Sequence, residues 1–448
     1  MNIELKKFFL AVIAFALAAS TALAQKIPAA VAGSADPSSM TGGIGLTRID
    51  TAWYYTLNIA PELAFGKFGV GLDLTLNISS NSRQIRKEDF DETYDYIRII
   101  RYLRWGHKGD DVYARLGVLD YARLGHGFIM YLYNNSPSYD GRRLGTEFDL
   151  NFGKYGFETV YSDFAREGVF GIRGSVRPLQ YTSLASVPIL GGLEIGATWA
   201  GDMRRNSRDT SFAVGNGARQ SSNEGTMNVV GADIGLPLLR IPTVSSTLYF
   251  DYAKILSFGD GEAIGLETNF SGLGIFDLFT KFERRWTGDY FMPNYFNTFY
   301  ELERYQLSGT LFSSKARVLN NLISPGPGYF GDLTIGILGK LQIRGTYSKL
   351  DLQPTSGVLH LGTSTGSLIP MFVVDAGYDK KYIVDNKDVF TLDERSLLYA
   401  SIGYKPYPFM IVSTLYTWTF VPVVDANGNT SFVTQKRIQP KVSIVFPL

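Results

Sequence analysis

The three histidines are the first residues to consider for chemistry, because the chain contains no cysteine. Without cysteine, a thiolate nucleophile, a disulfide framework and a cysteine-bound metal are excluded. His107, His126 and His360 are far apart in the sequence. His126 stands in a Gly-His-Gly motif with Asp120 upstream, and the two could act as an acid and base pair, but a lone loop histidine is more often simply solvated. The sequence therefore predicts no enzyme and no cofactor.

An acidic cluster is the second candidate for chemistry. It consists of Asp89, Asp91, Glu92 and Asp95, and its oxygens could bind Ca²⁺. The cluster lacks the fixed spacing and the glycine of a known calcium loop, so a solvated acidic turn is the favoured interpretation. No glycine-rich phosphate loop follows a strand and opens a helix. We therefore predict no metal site and no phosphate-binding loop.

A larger set of charged residues alternates with apolar ones. Between Leu144 and Phe152, apolar side chains such as Phe148 take every second position, and polar ones such as Glu147 lie between them. A period of two predicts a strand with one apolar and one polar face. Applied along the whole chain, this rule gives candidate pore-lining residues: Asp73, Asn77, Arg143, Glu147, Asp149, Arg173, Arg177, Glu194, Glu267, Lys281, Glu283, Arg285, Arg344 and Asp375, and in addition Asp202, Asp233, Asp251, Arg437 and Lys441.

So many charges do not suit a dry core, where each would need a partner and would still cost about several kcal/mol. About twenty candidate strands are visible, and we expect between 16 and 20, a size at which a barrel is wide enough for an aqueous channel. Both signs of charge are present, which predicts weak charge selectivity unless the signs segregate at a constriction. The alternative is a network of ion pairs that fills the lumen and closes it.

The elements that position these residues are repeated β-hairpins, which follow a predicted signal peptide. Residues 1–24 have two lysines, an apolar run and an Ala-Leu-Ala end, which is typical of a signal peptide. Residues 25–43 contain mostly small residues with proline and serine, which predicts a flexible N-terminal lead-in, and residues 44–448 carry the repeated hairpins of the predicted barrel. No apolar run after Gln25 approaches the roughly 20 residues of a spanning helix. A chain that enters a membrane must then do so as a closed barrel.

Three features favour a barrel in a bilayer. Tight connections such as Gly66-Lys67 and Gly339-Lys340 alternate with long polar ones. Strands of the expected length are bounded by aromatic residues, which prefer the headgroup level. A soluble β-sandwich would also show period-two alternation, but its loops need not alternate between short and long. The predicted fold is all-β: a single transmembrane antiparallel up-and-down barrel with short periplasmic turns and longer outer loops.

Two loops contain more apolar and aromatic residues than a loop in water needs. They are Gly125 to Gly141 and Asp289 to Gln306. Our hypothesis is that the second loop folds inward and places Glu301, Glu303 and Arg304 near the narrowest point of a channel. An extra hairpin or an outer cap is an equally plausible interpretation of this loop.

With its signal peptide, alternating strands, aromatic ends and amphipathic last strand (Ile438, Val442, Ile444, Phe446), the chain resembles the Gram-negative outer-membrane β-barrel proteins, porin-like ones in particular. The resemblance implies export through the periplasm, an outer-membrane location and contact with lipid. It implies a porin-like channel for passive or gated diffusion of small hydrophilic solutes, with no cofactor.

The formal charge of +1 gives no reason to expect nucleic acid as a partner. The alternative function is a structural or assembly barrel with a filled lumen, a partner of a secretion or surface-attachment complex. A transporter of hydrophobic substrates is less favoured, because the predicted inner face is charged. Whether the protein forms a homo-oligomer stays open.

Overall fold

The computed structural model describes residues 39–49, 51–91, 93–136, 143–210, 212–213, 219–220, 224–272, 274–308, 311–365, 371–424 and 430–447. The predicted signal peptide, residues 25–38 of the predicted lead-in and Glu92 of the acidic cluster lie outside these ranges. The structural statements below concern the described residues.

Twenty strands in the described ranges form one antiparallel sheet that closes into a barrel. Closure is made by the first strand, which pairs with both the second strand and the last. The strands are β1 (Ser39–Ile49), β2 (Ala52–Phe65), β3 (Phe68–Leu72 and Leu74–Ser79, interrupted at Asp73), β4 (Ile100–Trp105), β5 (Val112–Gly117), β6 (Gly145–Asn151), β7 (Tyr155–Tyr161), β8 (Val169–Val176), β9 (Glu194–Asp202), β10 (Met227–Ile241), β11 (Val244–Ile255), β12 (Asp260–Phe270), β13 (Phe276–Thr287), β14 (Gly326–Ile337), β15 (Leu341–Leu350), β16 (Gly357–Ser364), β17 (Phe372–Ile383), β18 (Ser396–Tyr407), β19 (Met410–Val424) and β20 (Thr430–Pro447).

This architecture confirms the predicted all-β barrel and the upper end of the predicted strand number. The start of the barrel differs from the prediction. The first strand begins at Ser39 rather than at Ile44, because Ser39 to Gly43 pair with the end of β20 and with the middle of β2. A closed sheet needs this stretch, since without it the last residues of β20 would form an exposed edge.

The outer surface of the barrel is apolar. Large side chains at alternate positions of the strands are exposed there, including Ile44 at 66%, Phe282 at 59% and Ile195 at 40%. Aromatic side chains are exposed where strands meet tight turns: Phe65, Phe68, Trp105, Phe152, Tyr155, Tyr407 and Phe409. Such rings favour a membrane interface, so this ring of aromatic residues fits one edge of an apolar band.

Connections at the two ends of the barrel differ in length. At the turn end, β2–β3, β10–β11, β14–β15 and β18–β19 are joined tightly, whereas residues 80–99, 203–226 and 384–395 are long connections at the opposite, loop end. Residues 177–193 are an exception at the turn end, since they contain three 3₁₀ turns. Two short helices, Thr93–Ile97 and Tyr300–Glu303, lie in loops. Within the described ranges, no helix has the length and apolar character needed to cross a bilayer.

Candidate functional site

The inner face of the barrel carries the predicted polar residues. Strand register places one set of alternate positions, such as Glu158, Arg173, Thr198 and Asp233, side by side around the sheet. The same register continues around the barrel and includes the other candidates on strands: Asn77, Glu147, Asp149, Glu194, Glu267, Lys281, Glu283, Arg285, Arg344 and Asp375. Asp73 lies at the interruption of β3, where Asn58 of the inner face donates to it. Arg143 precedes β6 and Arg177 follows β8.

Two loops enter the barrel and pack on each other. Residues 119–135 follow β5 and residues 289–322 follow β13; together we name them the partition. Their backbones are joined directly, because Phe296 donates to the carbonyl of Ile129 at 3.3 Å and Tyr131 donates to the carbonyl of Phe296 at 3.2 Å. Asn294 also donates to the carbonyl of Phe128 at 2.8 Å. The two loops therefore form one body.

The partition crosses the interior from one wall to another. Near its start, the backbone N–H of Gly125 donates to Glu158 of β7 at 3.0 Å. Farther across, the Tyr131 hydroxyl donates to Asp332 of β14 at 2.5 Å. The Tyr121 ring lies edge-on to the His360 ring of β16, with centroids 5.1 Å apart. Contacts with strands so far apart around the sheet are possible only from inside the barrel.

An apolar patch on the inner wall holds the partition. Toward the loop end, the inner positions of β7 to β12 change from charged to apolar and are fully buried; we name this patch the apolar seat, formed by Val160, Val169, Ala200, Met227, Val229, Ala253, Ile255 and Ala263. Leu124, Phe128, Met130 and Phe296 of the partition pack against it. Burial of apolar area contributes about 25 cal/mol per Å². The partition is therefore anchored as a hydrophobic core and not only by polar contacts.

Below the seat, the inner wall is charged and its groups bind one another. We name this set the charged floor: Glu158, Arg173, Asp233, Asp251, Glu267, Lys281, Glu283 and Arg285. Arg173 donates to Asp233 at 2.9 and 2.6 Å, and Lys281 lies 2.8 Å from Glu283. The Lys281 and Glu283 side chains are both 0% exposed. Here the predicted lumen-filling network of ion pairs is present.

The rest of the inner wall is less buried. On the inner faces of β18 to β20 and β1 to β5, which we name the accessible half, several long charged side chains keep part of their surface exposed, while shorter polar ones such as Thr47 and Asn58 are buried. Arg101 and Glu62 form a pair at 2.7 Å with their side chains 28% and 14% exposed. Lys441 donates to Asn58 at 2.9 Å, and Asn58 donates to Asp73 at 2.6 Å. Lys441 and Asp73 are half-buried. The partition thus divides the interior into this half and a filled half, β6 to β17.

The three residues predicted at a constriction lie inside the partition. Arg304 is 2% exposed and its Nε atom is 2.8 Å from Asp202 at the end of β9, while Glu301 pairs with Arg143. Glu303 lies 3.0 Å from Lys315 and also binds Lys381 of β17.

Burial opposes ionisation of Glu303, but the two lysines outweigh it and lower the pKa of Glu303 to about 2. These side chains fix the partition to the wall instead of facing the accessible half. The loop also contains the predicted alternative, an extra hairpin, Tyr305–Ser308 with Leu311–Ser314.

The residues considered for chemistry have structural partners. Asp89 pairs with Arg86 at 2.9 Å and Asp95 with Arg98 at 2.7 Å. Nδ1 of His360 lies 2.8 Å from Asp379. Within the described ranges, no group of three or more His, Asp or Glu side chains is arranged to hold a metal ion.

Sequence alone marked both loops as unusual but predicted inward folding only for the second, and it missed the apolar seat. A signal was present, because Ala253 and Ile255 continue the inner alternation of Tyr249 and Asp251. Small apolar residues at inner positions of several neighbouring strands, all toward one end, indicate that chain rather than water covers them.

Comparison with known proteins gives similarity only at the level of solved structures. A scan against protein-family models and a search of curated proteins both found no match. The chain is similar to OccK11 (OpdR) from Pseudomonas aeruginosa with TM-score 0.31 and 10% identity, over 92% of this chain and 95% of that one.

Two further similar structures are a mutant of the ferric enterobactin receptor PfeA from Pseudomonas aeruginosa (TM-score 0.35, 9% identity, 92% and 80% covered) and CdiB from Acinetobacter baumannii (TM-score 0.27, 8% identity, 92% and 60% covered). The chain thus matches less than two thirds of the length of CdiB. The barrel architecture is established by the closed sheet and not by these similarities.

Proposed function

We propose that the protein is an outer-membrane channel through which small hydrophilic solutes diffuse along the accessible half of the barrel. The observation that carries this proposal is that charged side chains at inner positions of the accessible half keep part of their surface exposed. The Lys281 and Glu283 side chains of the filled half are 0% exposed, whereas Arg101 of the accessible half keeps 28%. A polar wall with accessible charges suits water and polar solutes.

The location in the membrane is part of the same proposal. The apolar outer face suits lipid, and the exposed aromatic residues at the turn end suit a headgroup region. Residues 1–24, as a signal peptide, would direct export through the periplasm. The channel is passive, and the proposal assigns it no reaction and no cofactor.

A second candidate is favoured by the partition. Because the partition fills one half of the interior as a packed core, a barrel that serves assembly or attachment and conducts nothing would also have this structure. The two functions differ in one measurable property, the passage of solutes through the accessible half.

The test is to block that half from within. Ser401 of β18 and Ser413 of β19 are diagonal neighbours, because Ser401 lies opposite Leu415 and Ser413 lies opposite Gly403, and both are half-buried on the inner face. The double variant S401W/S413W adds bulk to the passage. The control is V412W, because Val412 is 42% exposed on the outer face. All proteins are first shown to be folded by heat-modifiable migration.

Single-channel current in planar bilayers and liposome swelling with sugars of graded size are then measured. We expect the wild type and V412W to conduct equally and the double variant to conduct less, with a lower size limit. A folded wild type that leaves vesicles as tight as empty ones would refute the channel and favour the assembly function.

A further inference from the structure

The tip of the partition, Arg123–Phe128, lies on the charged floor. The imidazole of His126 stacks on the Tyr249 ring, with centroids 3.9 Å apart and planes 5° from parallel. The flanking Gly125 and Gly127 have φ of +54° and +96°, a region that favours glycine. Lys281 donates to the carbonyl of His126. The position of the ring is therefore fixed by stacking and by backbone geometry.

Carboxylates lie on both sides of this ring. Nε2 of His126 is 4.0 Å from Asp233 and Nδ1 is 3.9 Å from Glu267. Asp251 lies directly opposite Asp233 in the strand register and lines the same small cavity as His126. Two like charges in such a cross-strand pair are destabilising unless a cation compensates them.

The cations around the tip are already engaged. Arg173 binds Asp233, and it also binds Glu158 at 2.8 Å. Arg123 lies 3.3 Å from Glu267, and Lys281 lies 3.4 Å from it.

On β13, Arg285 and Lys281 both hold Glu283. Asp251 differs from these carboxylates: it is 6% exposed, and its Oδ2 atom makes no hydrogen bond within the described part of the chain.

A charge count over the tip and the charged floor shows an imbalance. The carboxylates are Glu158 of β7, Asp233 of β10, Asp251 of β11, Glu267 of β12 and Glu283 of β13; the cations are Arg123 of the tip, Arg173 of β8, and Lys281 and Arg285 of β13. Glu194 of β9 also binds Arg173, but Arg177 compensates it at 2.9 Å. Five carboxylates thus face four cations. One positive charge is missing from a buried site, where an uncompensated charge is costly.

We propose that His126 is a proton-binding latch: its imidazolium supplies the missing charge and holds the tip on the floor, and loss of the proton releases the tip. The apolar seat keeps the rest of the partition in place in both states. This inference does not depend on conduction, since it concerns the hold of the partition on the wall.

The direction of the pH effect follows from the surroundings of the ring. Burial by itself lowers the pKa of His126, but the carboxylates of Glu267 and Asp251 outweigh burial and raise it above the ordinary value. A histidine whose pKa is raised in the folded state stabilises that state fully below its unfolded pKa. This stabilisation is lost as the pH rises through the raised value. The tip should therefore be tight in mild acid and loosen on the alkaline side.

Hydrogen–deuterium exchange of the protein in lipid nanodiscs tests the latch. Protection of the Gly125, Gly127 and Phe128 amides is measured from pH 5 to 9, corrected for intrinsic exchange and referred to amides of the barrel strands. In the wild type, protection of the tip amides should fall by about tenfold for each pH unit between the ordinary histidine pKa and the raised pKa of His126, while protection of the strand amides stays unchanged. H126Q should be loose and insensitive to pH over the whole range.

Two further variants make the interpretation specific. Because D251N removes the uncompensated carboxylate, D251N combined with H126Q should restore tip protection at every pH. H360Q is the matched control, because His360 of β16 is paired with its own carboxylate, Asp379 of β17. In H360Q, the pH profile of tip protection should not change.

Wild-type tip protection that stays flat from pH 5 to 9 would overturn the latch, as would the same fall with pH in H126Q. If H126Q does not fold, the imidazole of wild-type His126 is titrated by NMR instead. A pKa below the ordinary value of about 6.5 then overturns the proposal, and a raised one supports it.

Discussion

Truncation of Phe296 to alanine is expected to loosen the partition without opening the barrel. Phe296 is 0% exposed and its ring packs on Tyr295 and Tyr300 with centroids 5.3 and 4.8 Å away. Replacing a buried phenylalanine by alanine costs about 3–5 kcal/mol, from lost transfer energy and from the cavity left behind. Every 1.36 kcal/mol is tenfold in an equilibrium, so local opening of the partition should become about a hundredfold to several thousandfold more frequent.

Hydrogen exchange measures this opening directly. In F296A, the amides of residues 294–300 and 128–133 should lose protection by that factor, because the two loops share backbone hydrogen bonds. Amides of the barrel strands should keep theirs. F282A is the control, since Phe282 is 59% exposed on the outer face and touches no part of the partition core. Unchanged exchange in F296A, or an equal loss of protection in the barrel strands, would refute a partition that packs as its own core within a separately stable sheet.

Two other predictions concern charge. D73K should shift the reversal potential in a KCl gradient toward anion preference, because Asp73 is half-buried in the accessible half. E147K, at a buried position of the filled half, should lower the free energy of unfolding by about 3–5 kcal/mol and leave ion preference unaltered. A shift in E147K but not in D73K would contradict the division of the interior. The ion pairs of Glu303 with Lys315 and Lys381 should persist in acid, because these lysines lower the pKa of Glu303 to about 2. The stabilisation by Glu303 is complete above the ordinary carboxyl pKa and is lost only as the pH falls through about 2. The melting temperatures of the wild type and E303Q should therefore differ by the same amount at pH 7 and at pH 5.

Local alternation predicted the strands and the face on which each polar residue lies, and the alternation of short and long connections favoured a barrel over a sandwich. In β6, for example, Glu147 and Asp149 point inward and Phe148 is 36% exposed outside, because a strand offers only two faces and the lipid side accepts only one kind of residue. The rule uses only neighbours in the sequence. It therefore holds from strand to strand without knowledge of the barrel diameter.

What covers the inner face could not be predicted by the same rule. Whether Arg101 meets water and Arg285 meets chain depends on contacts between residues far apart in the sequence, such as the pairing of Phe296 with Ile129. The hypothesis for Glu301, Glu303 and Arg304 identified the loop that turns inward but assigned these charges to a constriction. Their partners are Arg143 just before β6, Asp202 at the end of β9 and Lys381 on β17, and no sequence spacing relates them.

A closed sheet of twenty strands encloses more space than its own inner side chains can fill, so the remaining space must hold either water or other chain. The inner residues decide between the two. On β11, Ala253 and Ile255 would expose apolar area to water if the partition were absent, and burying that area by folding two loops inward is favourable. On β2 and β20, the inner positions include Glu62 and Lys441, whose charged side chains keep part of their surface exposed and are well satisfied by water. The division of this barrel into a filled half and an accessible half is therefore a consequence of residue type at inner positions, strand by strand.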